Sequence, residues 1–289
     1  MARGTVCLTF DFDALSLWIV RGMRSPGPLS RGEFGVHAIP RLLHLLESRH
    51  LPATFFVPGH TAETFPKACR LLVDAGHEIG MHGYAHEVVS TLSPDQERAV
   101  FHRAHEVLTR LVGAPPIGNR TPSWDFTPHT VEVLLELGLR YDSSLMATDY
   151  TPFYARTGDK VTDEEPAQLG RETDLVQLPP SWSLDDYPAF EWVRTDQIVM
   201  PGLRLADDVY ANWLEDLRYM VRDYDDGVCV ITFHPQVIGR GHRLLGLERF
   251  LDAAAELGVE FDRLDRVAEQ FRAGRAYGTY QPGAGAGSG

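Results

Sequence analysis

Five short stretches gather side chains that can hold a metal, move protons or wall a pocket. They are Asp11-Phe12-Asp13, His82-Gly83-Tyr84-Ala85-His86, Arg120-Thr121-Pro122-Ser123-Trp124, Asp142-Ser143-Ser144 and His234-Pro235. Residues two apart at a strand end point to the same side, so Asp11 and Asp13 can face one site. His82 and His86 can converge on one cation if their segment turns helically. Two imidazoles and one carboxylate around a divalent ion leave positions for water and substrate, which is the make-up of a hydrolytic metal site. Arg120, in a loop stiffened by Pro122, can pair with a carboxylate and hold it ionised and oriented. His234, between an apolar strand and Pro235, suits a proton donor, and Trp124 suits an apolar pocket wall. Each residue also has a plainer reading: satisfied loop histidines, turn-capping aspartates, a surface salt bridge for Arg120, core packing for Trp124, a buried structural His234.

The elements that must position these residues alternate between strand and helix. Apolar, β-branched runs predict strands at Val6 to Phe10, Ala53 to Val57, His77 to Met81, Ile117 to Arg120, Leu139 to Tyr141, Gly227 to Phe233 and Val259 to Asp262. Helices are expected over Ala38 to Arg49, Thr64 to Ala75, Ser93 to Val112, Pro128 to Leu137, Asp207 to Tyr224, Gly246 to Leu257 and Leu264 to Ala273. Ser93 and Gln96 have the spacing of a capping box. About seven βα-like repeats imply an α/β fold, with a parallel sheet covered by helices, either open and doubly wound or closed into a barrel. No Gly-rich phosphate loop favours the open form. Residues 147–203 lose periodicity and read as a long irregular insert, a lid or an interface; Gly283 to Gly289 reads as a flexible tail.

The chain has 289 residues, with 27 Lys+Arg against 40 Asp+Glu and a net charge of −13. That charge argues against nucleic acid and anionic membrane surfaces as partners, and no apolar run has the length of a bilayer span. The residues from Met1 run into an apolar stretch too short for a secretory leader, so a cytoplasmic protein is expected. Cys7, Cys69 and Cys229 read as buried thiols.

In order along the chain, Thr9-Phe10-Asp11-Phe12-Asp13, Ala53-Thr54-Phe55-Phe56-Val57, Gly76 to His82 with His86, Arg120-x-Pro122-x-Trp124 and His234 resemble the polysaccharide deacetylase superfamily, also described by NodB homology and as carbohydrate esterase family 4. The resemblance covers roughly residues 5–270. It implies a distorted (β/α)7 barrel over residues 1–277 as one domain, with residues 278–289 as its tail. It further implies a divalent metal, zinc, held by Asp13, His82 and His86, with Asp11 as general base, Arg120 orienting Asp11, and His234 as general acid. Trp18, Trp124, Asp142 and Trp182 are expected substrate contacts.

Within the superfamily, Phe12 between the two aspartates, the reduced Asp142-Ser143-Ser144 motif, the run His234 to Arg243 and the segment Leu178 to Asp186 look more like its cytoplasmic, oligomeric branch of peptidoglycan-deacetylase-like and allantoinase-like cyclic imide hydrolases. The expected activity is therefore hydrolysis of a non-peptide amide in a small cyclic imide, ureide or soluble N-acetylated compound. Deacetylation of an N-acetylated sugar polymer is the alternative, a non-catalytic carbohydrate-binding barrel the reading from another class, and a metal-independent ureide hydrolase a third. Trp182, Tyr187, Phe190 and Trp192 would serve equally as a pocket wall or a homo-oligomer interface.

Overall fold

The strands are β1 Gly4–Asp11, β2 Thr54–Val57, β3 Glu78–Met81, β4 Gly118–Asn119, β5 Tyr141–Asp142, β6 Phe153–Thr157 and β7 Arg171–Gln177, then β8 Val193–Arg194, β9 Val199–Met200, β10 Tyr224–Asp225, β11 Gly227–Phe233, β12 Glu260–Phe261 and β13 Thr279–Tyr280. This is a computed structural model, and it describes residues 3–194 and 199–283. The main sheet runs β11-β1-β2-β3-β4-β5-β7-β6, with β12 also pairing β1. Every neighbour pair from β11 to β7 is parallel, and β6 returns antiparallel to β7. The sheet curls into a distorted, partly open barrel surrounded by helices, as expected for an α/β fold of the deacetylase type.

β1 and β11 are buried along their whole length and pair from Gly4↔Gly227 to Phe10↔Phe233. Strands covered on both faces must be apolar throughout, which explains the runs Val6-Cys7-Leu8 and Val228-Cys229-Val230-Ile231. All three cysteines are free and buried. No helix among the described residues is long and apolar enough to cross a membrane.

Several expectations need correction. Residues 147–203 are not irregular throughout: β6 and β7 extend the sheet, and Asp185 bridges in parallel to Thr232 of β11, while residues 195–198 lie outside the described residues. The helix expected from Ala38 begins at Pro26 and runs to Ser48 through Pro40. Its first half carries Gly27, Gly32 and Gly35, poor helix formers, yet Gly32 is required there: a Cβ would lie 2.4 Å from the Ala14 carbonyl oxygen. The helix expected over Thr64 to Ala75 is two, Gly59–Thr64 and Pro66–Asp74, broken at Phe65. Within the expected tail, Thr279 and Tyr280 pair antiparallel with Asp225 and Tyr224, while residues 284–289 lie outside the described residues. The Ser93–Gln96 capping box is formed in both directions.

Candidate active site

The site lies at the C-terminal ends of the parallel strands, where loops replace the sheet's hydrogen bonds with polar side chains. Asp11 ends β1, and the chain then leaves the sheet with Phe12 turned into the core and Asp13 completely buried. The Asp13 backbone is pinned: its carbonyl accepts from Ser16 N at 3.0 Å, Ser16 Oγ at 2.7 Å and Thr61 Oγ1 at 2.7 Å. His82 follows β3. The chain reaches His86 not by a helical turn, as expected, but through left-handed backbone at Gly83 (φ 63°) and His86 (φ 61°). The Glu87 carboxylate accepts from Tyr84 N and Ala85 N and closes that turn. Ala14, Ser123 and Trp124 also have positive φ, so four non-glycine residues around one site carry strain of about 1–3 kcal/mol each.

His82 Nε2 lies 3.4 Å from Asp13 Oδ1 and 3.8 Å from Asp11 Oδ2, and His86 Nε2 lies 3.9 Å from Asp13 Oδ1. Both Asp13 carboxylate oxygens are buried without a hydrogen-bond partner. A buried carboxylate left this way is costly, and burial pushes its pKa up to about 7. Burial also pushes His82 down and His86 well down, so both imidazoles are held neutral, the form that binds metal. His82 Nδ1 sits 2.7 Å from the Arg120 carbonyl oxygen, which fixes the proton on Nδ1 and leaves Nε2 as the ligand atom. Orphaned oxygens, neutral imidazoles and ligand atoms mutually within 4.8 Å make Asp13, His82 and His86 a divalent-metal-binding cluster.

Arg120 is completely buried in the wall behind Asp11. Its Nη1 donates to Asp11 Oδ1 at 2.9 Å and Thr9 Oγ1 at 2.8 Å, its Nε to Ser143 O at 3.0 Å and its Nη2 to Ser143 Oγ at 2.9 Å. Burial alone would raise the Asp11 pKa, but the Arg120 guanidinium, with His82 and His234, outweighs it and holds the carboxyl below its ordinary value.

His234 faces Asp13 from across the site, with Nε2 3.8 Å from Asp13 Oδ2. Its Nδ1 meets Asp186 Oδ1 at 2.8 Å and Asp185 Oδ1 at 3.6 Å, and its own N–H donates to Asp186 Oδ2 at 3.1 Å. Burial would lower His234, yet the two carboxylates push it up to about 10, so it is protonated at neutral pH. Asp185, Asp186 and His234 form a second buried cluster with ligand-type atoms close together.

The structure brings Asp11, Asp13, His82, His86, Arg120 and His234 together. A cavity of about 160 Å³ opens onto Asp11, His82, His86 and His234, and Trp124 and Trp182 meet in its wall with ring centroids 3.9 Å apart and planes tilted by 31°. Two expected substrate contacts lie elsewhere. Trp18 is completely buried, with the Arg31 guanidinium 4.4 Å from its ring centre, and it packs behind the wall instead of lining the cavity. Asp142 is buried one layer away, accepting from Asn119 Nδ2 and Ser144 Oγ, and burial raises it to about 6. Tyr187, expected in a pocket wall or an interface, lines the cavity, whereas sequence reasoning gave no role to Asp185, Asp186 or Arg21. The adjacent acids after Trp182 were visible, but only the Asp185–Thr232 bridge carries them to His234. Away from the site, His102 has Glu136 at 3.2 Å on the surface.

Comparison with known proteins agrees with this geometry. A family model described as polysaccharide deacetylase matches residues 2–141. The peptidoglycan deacetylase of Helicobacter pylori is 37% identical over 275 residues, covering 90% of this chain and 94% of its own. A solved Mycobacterium smegmatis structure assigned to the polysaccharide deacetylases superposes with TM-score 0.83 at 33% identity, covering 95% of this chain and 92% of that one. The structure of Puue allantoinase superposes with TM-score 0.77 at 21% identity, covering 95% and 92%, a likeness of fold.

Proposed function

From the premise that this chain belongs to the polysaccharide deacetylase family, we propose that it is a zinc-dependent N-deacetylase of N-acetylated amino sugars in a glycan of peptidoglycan type. The protein is a metal-assisted hydrolase of non-peptide carbon–nitrogen bonds. The observation that carries the proposal is the buried, unpartnered Asp13 carboxylate beside the neutral nitrogens of His82 and His86. Asp13, His82 and His86 would hold the ion. When bound, it supplies Lewis acidity to an amide carbonyl and to water.

The chain's own groups do the proton work. Asp11, kept ionised by Arg120, accepts a proton from the attacking water. His234, kept protonated by Asp185 and Asp186, delivers a proton to the departing nitrogen, without which an amine is a poor leaving group. Trp124 and Trp182 shield the cavity and offer flat faces to a sugar ring.

A second reading, ring opening of a cyclic imide or ureide, is favoured by one observation, the small cavity under the tryptophan stack. Cytoplasmic location and homo-oligomeric assembly belong to this proposal as well, and fractionation and sedimentation test them.

The experiment is hydrolysis by zinc-loaded protein, with acetate release from N-acetylglucosamine oligomers and ring-opening absorbance of cyclic imides measured side by side. Acetate release that disappears together with bound zinc in Asp13→Ala, His82→Ala and His86→Ala supports the proposal. Normal zinc occupancy in all three variants, or ring opening without acetate, overturns it.

A further inference from the structure

Arg21 caps the end of the short helix Ser16–Val20 and lines the cavity together with Tyr187, His82 and His86. It is the single Lys or Arg among the residues lining that cavity. The other two cationic groups of the site are spoken for: Arg120 by Asp11 and Ser143, His234 by Asp185 and Asp186. Arg21 is different. Its Nη1 donates to the Tyr187 hydroxyl at 2.7 Å, and among the described residues no carboxylate lies within ion-pair distance and no acceptor meets Nη2 or Nε.

In a chain with 40 acidic residues, a half-buried guanidinium without an acidic partner is an open valence. The side chain is also held in place. Its guanidinium carbon lies 5.4 Å from the Tyr187 ring centre and 5.9 Å from that of Trp18, whose other neighbour is Arg31, itself ion-paired with Glu191. A guanidinium fixed by stacking, with two donor groups left over, matches the two oxygens of a carboxylate.

Position adds a constraint. The Tyr187 ring centre is 5.0 Å from that of His234, so Arg21 stands on the side where the leaving nitrogen is protonated. We propose that Arg21 is a specificity residue that binds a carboxylate carried by the amine-bearing half of the substrate, so that acidic N-acetylated amino sugars are preferred to neutral ones. This rests on the amide-hydrolase reading above and names its substrate class.

The test uses the zinc-loaded full chain and two probes, N-acetylmuramic acid and the same sugar with its carboxylate converted to the primary amide, titrated by calorimetry. Wild type binds the acid about tenfold or more tightly than the amide, the scale of a charge-assisted hydrogen bond. In Arg21→Met the ratio collapses to within about twofold, whereas Arg21→Lys, which keeps the charge but not the fork, retains part of it. Equal affinity for both probes in wild type, no detectable binding of the acid, or an unchanged ratio in Arg21→Met overturns the assignment. The last outcome also covers a carboxylate that binds the metal alone. Acetate release by wild type from neutral N-acetylglucosamine oligomers reports separately on the amide-hydrolase reading, because those oligomers carry no carboxylate for Arg21.

Discussion

The Nδ1 atom of His234 lies 2.8 Å from Asp186 Oδ1, while Nε2 on the far edge of the same ring looks across 3.8 Å to Asp13 Oδ2. One buried imidazole is thus tied to a carboxylate behind it and presented to the reacting side. Burial pushes the Asp186 carboxyl up, and its bonds to His234 pull it back, so the pair is held together as charged partners. The raised His234 pKa means that the stabilisation from this pair is fully present below about pH 6.5 and is lost as pH rises through about 10.

Asp186→Asn removes the nearer charge. His234 then loses its proton at lower pH, and the alkaline limb of the kcat/KM profile should move down by about 1–2 pH units. The acid limb, set by Asp11, should stay in place. A pH profile of acetate release in wild type and variant checks this, and an unmoved alkaline limb would deny His234 the part of proton donor.

Arg120→Met leaves Asp11 buried without its counter-charge, and Arg120 itself is replaced in a wall where Thr9 and Ser143 lose their donor. The expected loss of stability is about 3–5 kcal/mol, measured by denaturant unfolding. Asp11 is depressed in the folded protein, so it stabilises the fold above the ordinary carboxylate range, and that contribution is lost as pH falls through the depressed value. In the variant the Asp11 pKa rises and the acid limb of kcat/KM should shift upward. Arg120→Lys, which keeps a charge but not the fork, should recover part of both effects.

Trp182 is 46% exposed and stacks on Trp124, which is nearly buried. Trp182→Ala should therefore cost little stability while removing one face of the cavity. The expected signature is a KM for N-acetylglucosamine oligomers raised by roughly 3–10-fold, with kcat changed much less. A fall in kcat with constant KM would instead make the stack a device that orders the reacting groups.

Much of this site could be read before any coordinates. β1, β2, β3 and β11 are buried at every position and are built around the apolar runs Val6-Cys7-Leu8, Phe55-Phe56-Val57, Ile79-Gly80-Met81 and Val228-Cys229-Val230-Ile231, so their ends, and with them Asp11, Asp13, His82 and His234, could be placed from hydrophobic runs alone. The Ser93–Gln96 cap was equally legible because it is local. Asp185 and Asp186 were not, because what brings them to His234 is a parallel bridge between residues 47 positions apart, in a stretch where β7 starts polar and exposed and the helix Asp186–Phe190 has five residues. Trp18 misled for a related reason. An aromatic residue close in sequence to a catalytic aspartate suggests contact with substrate, but the helix Ser16–Val20 turns that ring into the core. Pro26 to Gly35 hid a helix because Gly32 and Gly35 serve close packing against Ala14 and Gln236, not helix propensity.

The last prediction concerns the opposite end of the strands. Glu78, which begins β3, is buried and accepts from Thr54 Oγ1 at 2.6 Å, Tyr141 Oη at 2.7 Å and Asp265 N at 3.1 Å. Burial is the largest influence on it, the nearby Asp265 adds to it, and together they push Glu78 up to about 7 despite those hydrogen bonds. Here the sign is the reverse of Asp11. Between roughly pH 4.5 and 7 the folded protein keeps a proton that the unfolded chain has released, so stability declines as pH rises through that window. Glu78→Gln, which mimics the protonated side chain, should flatten that slope and leave the protein more stable than wild type near pH 8 by on the order of 1–3 kcal/mol. Because Glu78 begins the strand that His82 follows, the metal content and kcat of folded enzyme should be preserved. Thermal unfolding of both proteins at pH 5 and pH 8 decides the matter: parallel shifts in the two would mean that Glu78 carries its charge in the fold.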